Sequence, residues 1–354
     1  MSRRTFLKAS AMVGAGAFLP LATACATGKG AAGGPAPLAQ GKAPTSATSR
    51  PIQIRMGGYA PAKNGFSLCL KRIGDQLTAR FPKDVEVKYV YNIMDLGYLG
   101  KDILWLVEDG VLTLGYQSSS YMSSRVPAVG IADLPFLFPN TEKARAAMDG
   151  QFGKVLAARI EERMNYRILG YFENGFRYVS NRVRPVRTPA DLKGLKIRVM
   201  PSKIQARTFE LLGADPKMLD LTEAIQGVKN GTLDAQENPF VNTVTYGVHK
   251  FHKYHSMTNH FYLSRPIFLH RQSFDAWPPE LQAAMREAVR DTVAYQRGLH
   301  EKDEEVAAAT IRKEGGEILE LTPAQLQPFV SAVAPMYAEA RALYDKELLA
   351  SVGL

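Results

Sequence analysis

The sequence predicts an α/β protein of two lobes, and three observations carry that reading. The first is how its regular part opens. Ile52 to Tyr59 alternates apolar and polar residues and stops at Gly57-Gly58, a helical pattern runs from Phe66 to Arg80, and Val85 to Tyr91 reads as a second strand. Strand, helix, strand is the usual start of a doubly wound lobe. The second is length: 354 residues, 46% hydrophobic, supply more than one lobe's core. The third is a helical run opened by Pro278-Pro279 and continuing from Glu280 to about Lys313, longer than one small lobe needs.

The elements between follow from local signals. Leu99 to Asp109 is helical, and Val111 to Tyr116 is a buried strand ending in the polar loop Gln117-Ser118-Ser119-Ser120. Asp133 to Phe138 is another apolar segment, and helices span Thr141 to about Asn165. Ser202-Lys203-Ile204-Gln205 has the form of a capping box, opening a helix that ends at Gly213. Leu221-Thr222-Glu223 starts the next helix, which Asn230-Gly231 stops. Leu233 to Glu237 reads as a strand, Pro239 turns the chain, and a strand-rich region runs to Leu269. The tail from Pro323 to Leu349 is helical, and there is no internal repeat.

The stretch from Phe172 to Pro201 organises the rest. Thr188 is a good N-cap, Pro189 suits the first helical position, and Gly194 closes the turn. Leu195, Ile197 and Val199 then alternate with Lys196, Arg198 and Met200, the pattern of a strand with one buried face. Arg198 thus leaves a strand just before the break at Pro201-Ser202, and open α/β sheets hold ligands at strand ends. A guanidinium there is a rigid, permanently charged fork that fits a carboxylate with two parallel hydrogen bonds.

Four pieces of sequence now line up: Glu-Asn-Gly-Phe-Arg ending at Arg177, Asp-Leu-Lys-Gly-Leu-Lys-Ile-Arg-Val at 191–199, Ala-Gln-Glu-Asn-Pro at 235–239 and Thr-Asn-His at 258–260. Together they resemble the solute-binding subunit of tripartite ATP-independent periplasmic (TRAP) transporters of the dicarboxylate-binding DctP type. The resemblance covers nearly the whole chain from Gly57 onward. It implies a ligand cleft between two lobes and a long helix spanning both. The expected division is a signal peptide at 1–24, a linker or tether at 25–50, the first lobe at 51–174 and the second at 175–263. Residues 264–354 then bring the return strand, the spanning helix and the C-terminal helices.

The same resemblance implies that Arg198 clamps a ligand carboxylate, that Arg177 assists it, and that Asn238 contacts the ligand. Gln117, Tyr59 and Asn242 fall where relatives line the cleft with variable residues, and Leu221 stands where several have an aromatic wall. Some relatives hold a cation at the position of Glu237. Here Arg177 itself supplies that positive charge and would repel a neighbouring cation, so no metal is expected. The four histidines between His249 and His260 share no helix face, and the lysines among them add like charge. No cofactor is expected.

The N-terminus points to export. Ser2-Arg3-Arg4-Thr5-Phe6-Leu7-Lys8 fits the twin-arginine motif, and the apolar stretch Ala9 to Ala24 is too short and too interrupted to span a membrane. Ala22-Thr23-Ala24 is an A-x-A cleavage site, and the same residues before Cys25 resemble a lipobox with alanine where leucine is usual. The lipobox reading is preferred, making Cys25 a lipid anchor on the Gly/Ala/Pro/Ser/Thr-rich tether Ala26 to Arg50. Cys69, the only other cysteine, lies in a helical pattern and reads as a small buried hydrophobe.

The formal charge is +10, and loss of Arg3, Arg4 and Lys8 with no acid before Cys25 leaves +7. The basic residues are dispersed, so a solvated surface fits better than a nucleic-acid stripe. No G-x-S-x-G, Walker, G-x-G-x-x-G or H-E-x-x-H motif is present. The expected partners are a small organic acid and TRAP permease subunits in the periplasm. The rivals are an exported enzyme or an orphan sensor acting on a carboxylated ligand.

Overall fold

The computed structural model describes residues 50–354; the export signal, Cys25 and most of the tether lie outside the described residues. The chain builds eleven strands: β1 (Ile52–Gly57), β2 (Val85–Val90), β3 (Leu114–Tyr116), β4 (Tyr166–Phe176), β5 (Tyr178–Asn181), β6 (Lys196–Val199), β7 (Asp215–Met218), β8 (Ala235–Asn238), β9 (Tyr254–Met257), β10 (Tyr262–His270) and β11 (Glu317–Glu320). They form two sheets, β2-β1-β3-β10-β4 and β11-β9-β5-β8-β6-β7, one for each lobe. The expected two-lobe α/β architecture is what the chain adopts.

The first lobe grows from its β-α-β opening. Ile54 and Met56 are buried while Gln53 and Arg55 are exposed, so β1 shows one face to the core, and it pairs parallel with β2. The Asn64 side chain caps the helix Gly65–Arg80 by accepting the Phe66 N–H. Phe66, Cys69, Leu70, Ile73 and Leu77 form its buried stripe at helical spacing. Burial pushes the Cys69 thiol up to about 12, so it packs as a hydrophobe.

The chain crosses between sheets at closely spaced points. β4 ends at Phe176, Arg177 makes the crossing, and β5 begins at Tyr178 in the second sheet. The return runs from β9 through 258–261 into β10, and Arg177 N–H donates to the Phe261 carbonyl at 2.9 Å, tying the two crossings together. The helix Pro279–Lys313, 35 residues and so roughly 50 Å long, packs on Gly65–Arg80 and β4 at one end and on Phe240–Thr245 and β11 at the other. It spans both lobes.

Several local expectations are corrected. Residues 264–354 do not return wholly to the first lobe, because β11 pairs parallel with β9 in the second sheet. The region expected to be strand-rich contains the helix Phe240–Thr245, whose first N–H groups are taken up by the Glu304 carboxylate of the spanning helix. The Ser202 hydroxyl accepts the Gln205 N–H, but the Gln205 side chain turns away to accept from Met200 N–H, so the capping box is only half formed. Asp133 to Phe138 ends a 3₁₀ turn and continues irregularly, and β7, with its exposed end and a proline, gave no period-two signal.

Asp133 is fully buried beneath the segment that follows β3, accepting from the Ser120 hydroxyl at 2.7 Å while its second oxygen has no partner. Burial, reinforced by the Glu237 charge, pushes its carboxyl up to about 6. A carboxyl whose folded pKa is raised favours folding in its protonated form, and that contribution is lost as pH climbs from about 4 through 6. His252, depressed to about 3, and His255 and His300, depressed to about 4, all by burial, act in the opposite sense and lose stability as pH falls. Comparing wild type with Asp133→Asn by urea unfolding isolates the carboxyl. The wild-type advantage is expected to shrink between pH 4 and 7 by on the order of 2–3 kcal/mol; a constant difference would show that Asp133 does not titrate there.

Candidate functional site

The lobes meet face to face, and side chains from each bond to the other. The Asp220 carboxylate caps the helix Leu221–Asn230 by accepting the Thr222 N–H, and it also accepts the N–H groups of Gly100 (3.2 Å) and Lys101 (2.9 Å) from the first lobe. Leu221 is buried beside it; a methyl group added at Gly100 would lie 3.5 Å from the Leu221 Cβ. Gln117 donates to the Gly100 carbonyl at 2.7 Å and accepts the Ser118 N–H, holding that loop from below. Near the spanning helix, Asn64 donates to Thr245 across the same divide.

Arg198 stands on this junction. It belongs to β6 between Ile197 and Val199, and it is only 2% exposed. Its Nε donates to the Leu219 carbonyl at 3.0 Å and one terminal nitrogen donates to the Tyr121 hydroxyl at 2.8 Å. Among the described residues no carboxylate pairs with it. Burial raises the Tyr121 phenol to about 12, so it remains neutral and cannot serve as a counter-charge.

Arg177 is in a different situation. Its guanidinium grips both carboxylate oxygens and the carbonyl of Glu237, and both residues are buried. His260, on the returning crossover, sits 3.6 Å from the same carboxylate, accepts or donates with Thr258 at 2.7 Å, and lies edge-on to Phe209. Burial alone would raise Glu237, but Arg177 and His260 outweigh it and hold the carboxyl below its ordinary value. The two crossing strands are therefore clasped by one ion pair.

A polar ladder leads from that clasp to the first lobe. Asn238 ends β8, donates to Gln236 and accepts from Asn242, and Asn242 donates in turn to Asn174 on β4. Asn174 accepts a second bond, at 2.8 Å, from Arg265 on β10. Arg265 lies over the rings of Phe66 (4.0 Å), Tyr59 (5.2 Å) and Tyr116 (5.8 Å). Tyr246, just past the helix carrying Asn242, senses Arg265 most strongly and then Arg198 and Arg177; burial nevertheless dominates and raises its phenol. One phenol feels three guanidiniums, so the three converge on one region.

Of the residues singled out from sequence, Tyr59, Asn238 and Asn242 lie along this ladder, Arg198 and Leu221 flank the junction, and Gln117 supports the loop between them. Arg177 is set apart by its pairing with Glu237. Sequence reading missed Arg265, Tyr116, Tyr121, Tyr246 and Asp220. A signal existed for Arg265: it is the one charge in Phe-Tyr-Leu-Ser-Arg-Pro-Ile-Phe-Leu, an otherwise apolar run that the fold buries completely. The histidines each find separate neighbours, His249 with Glu314, His252 with Ser180 and His255 with the His252 carbonyl.

Comparison with known proteins gives this arrangement a setting. Residues 1–20 match the twin-arginine translocation pathway signal sequence, which agrees with export. The 2,3-diketo-L-gulonate-binding periplasmic protein of Escherichia coli K12 is 30% identical over 266 residues, covering 75% of this chain and 80% of that protein. The sugar-acid-binding protein of Advenella mimigardefordensis, solved in complex with galactonate, superposes with a TM-score of 0.80 at 25% identity, covering 86% of this chain and 97% of the other. A TRAP periplasmic solute-binding protein from Sulfitobacter, with bound β-D-galacturonate, gives 0.79 at 25% identity and covers 85% and 98%. Residues 89–343 match the family described as bacterial extracellular solute-binding protein, family 7, and the chain belongs to that family, the periplasmic solute-binding subunits of TRAP transporters.

Proposed function

We propose that this chain captures a small organic acid between its lobes, with the acid's carboxylate held by Arg198, and delivers it to membrane permease subunits. The observation that carries the reading is the electrostatic state of Arg198. It is a buried guanidinium at the lobe junction whose partners among the described residues are a carbonyl and a neutral phenol. Taking a cation out of water costs several kcal/mol, which two neutral hydrogen bonds offset only in part. A ligand carboxylate would complete it. Relatives that bind galactonate, galacturonate or diketogulonate are consistent with an acid as the cargo.

In this reading Asn238, Asn242 and Tyr59 present amide and hydroxyl groups to the rest of the ligand, and Leu221 and Gln117 shape the wall. Arg177 acts through Glu237 and sets the hinge. Because Glu237 is already neutralised, no cation is needed beside the ligand. The chain is read as a binding protein rather than an enzyme, and the acids Glu173 and Glu237 are paired with arginines while Glu304 accepts from the first N–H groups of the helix Phe240–Thr245. Outside the fold, Cys25 is read as the lipid attachment site, and a mature chain starting at unmodified Ala26 or Cys25 in the soluble periplasmic fraction would overturn that.

The central test is a thermal-shift and calorimetry screen of residues 50–354 against C4-dicarboxylates, 2-oxo and 2-hydroxy acids, sugar acids and aromatic acids. An acid that binds only the folded form raises its stability by ~2.7 kcal/mol at a hundredfold over its dissociation constant. Arg198→Ala is expected to weaken that acid by roughly two to four decades, the ~3–5 kcal/mol of a broken buried pair. Equal affinity in both proteins would mean that Arg198 does not hold the carboxylate.

The two arginines should also separate without any ligand. Arg177→Ala strands the buried Glu237 charge and is expected to cost ~3–5 kcal/mol in urea unfolding of the ligand-free protein. Arg198→Ala strands no charge, and a change within about 1 kcal/mol is expected. The reverse order would exchange the roles assigned to them.

A further inference from the structure

Beside the crossing from β4 to β5 lies a cavity of about 460 Å³ whose charge runs against that of the chain. Glu142 reaches it from the helix Thr141–Asp149, Glu173 from β4, and Glu301, Glu304 and Glu305 from the spanning helix. Arg145 is the one arginine among its lining residues, and no lysine lines it, on a chain of formal charge +10. That arginine is already engaged: its Nε donates to Glu173 at 2.6 Å, and a terminal nitrogen lies 2.9 Å from Glu301. Glu142, Glu304 and Glu305 are left without an ion pair among the described residues. The cavity shares no residue with the Arg198 junction or the polar ladder. Glu173 and Gly175 line it, while Asn174 between them turns to Asn242 and Arg265.

His300 supplies an independent observation. It lines the same cavity, is 8% exposed, and its imidazole has no hydrogen-bond partner among the described residues. Its Nε2 points at β4: a methyl group added at the lining residue Gly175 would lie 2.6 Å from it. Burial, with the charges of Arg265 and Arg145, depresses the imidazole to about 4, so at neutral pH it is uncharged and keeps a free lone pair. A buried polar group left without a partner is costly, and the partner this lone pair lacks is a hydrogen-bond donor. Glu304 shows the same want of positive charge. Its carboxylate accepts the N–H groups of Phe240 and Val241. Burial, reinforced by the charges of Asp303 and Glu173, still pushes it up to about 7. The other titratable groups around it are Arg145, Glu301, Glu305 and the Tyr178 phenol, whose own pKa the Glu304 charge helps to raise.

We propose that this cavity binds an organic polycation, an alkyl diamine or polyamine, with one ammonium group between Glu304 and His300 and another on Glu142 and Glu305. Glu142 and Glu305 are exposed at the rim while Glu304 is half-buried, so a single ammonium group would answer only one end of the site. The rings of Phe176 and Tyr178 line the cavity, and aromatic rings both attract a cation and pack against its aliphatic stem. Among the described residues no three His, Cys, Asp or Glu side chains are grouped to hold a metal ion. The acceptors are spread out, as the N–H groups of an extended chain require and a compact ion does not. The site is independent of the Arg198 reading and holds whether or not a carboxylate binds there.

The test is calorimetry on the mature chain with putrescine, cadaverine and spermidine. Butylamine and butanediol serve as the singly charged and neutral controls. Spermidine is expected to bind at least ~10-fold more tightly than butylamine, and butanediol not at all. Glu304→Gln keeps an oxygen for the Phe240 and Val241 N–H groups and removes the charge, and it should weaken spermidine at least ~10-fold. A bound ammonium group favours the ionised form of Glu304, so binding near neutral pH should release protons, read as a heat that varies with the ionisation enthalpy of the buffer. For the same reason affinity should rise between pH ~6 and ~8, and Glu304→Gln should lose both effects.

No binding by any of the amines, or equal spermidine affinity in wild type and Glu304→Gln, overturns the site. Displacement of spermidine by an equal concentration of magnesium ion would make it a metal site and overturn the assignment of an organic cation. Should Glu304→Gln fail to fold, the exposed pair Glu142→Gln and Glu305→Gln carries the comparison, since neither residue is in an ion pair among the described residues. That double variant should weaken spermidine at least ~5-fold and leave butylamine within about twofold. Unchanged spermidine binding there overturns the proposal as well.

Discussion

The structure depends on the cost of burying a guanidinium. Three arginines, Arg198 on β6, Arg265 on β10 and Arg177 at the crossing between β4 and β5, lie where the lobes meet, and among the described residues an acid pairs with only one of them. Arg177 is matched by Glu237 with both carboxylate oxygens, and it sits where β4 passes into β5. That pair lies at the crossing between the two sheets, inside the chain. Among the described residues, Arg198 and Arg265 are held by neutral partners. Arg177 is therefore paired with an acid among the described residues and Arg198 and Arg265 are not, which is the ground on which a ligand carboxylate is proposed for Arg198.

The hinge explains why the pair lies where it does. Two strands cross between sheets side by side, linked by the Arg177 N–H to the Phe261 carbonyl. Glu237, at the end of β8, reaches both crossings at once, Arg177 on one and His260 on the other. A third connection, the spanning helix with β11 behind it, limits how the lobes can separate. Closing motions of such proteins are rotations about a few connecting residues, with the remainder moving as rigid bodies. The lobes are also joined by hydrogen bonds of Asp220 with Gly100 and Lys101 and of Asn64 with Thr245.

Much of this was legible in the sequence, and what was missed has physical reasons. The β-α-β opening, the 279–313 helix and the position of Arg198 at the end of its strand follow from periodicity and caps, which are local. The helix Phe240–Thr245 escaped notice because its N–H groups are satisfied by Glu304, more than sixty residues away, and no local cap announces it. β11 joined the second sheet by pairing with β9, and nothing in Glu317–Glu320 says which sheet it will meet. Arg177 was read as assisting at the ligand from the resemblance, and also as the positive charge beside Glu237; the structure shows the second as a direct ion pair. Arg265 was passed over because a single charge in an apolar strand looks like an exception, when burial makes it a demand.

Closure and recognition then become one process. On the proposed reading, separation of the lobes would let water reach Arg198. Bringing the lobes together would strip that water, and since no carboxylate among the described residues pairs with Arg198, closure of the empty protein would carry a desolvation cost. An anion bound between them reverses the balance, since charge attraction strengthens as water leaves. The ligand shifts the population toward the closed form only by its differential affinity for that form, and that differential is largest for groups that are unpaired without it. Neutral solutes, which leave that guanidinium unpaired, have no such leverage. If Arg198 holds a ligand carboxylate as proposed, the closed state depends on the charge of what the chain carries.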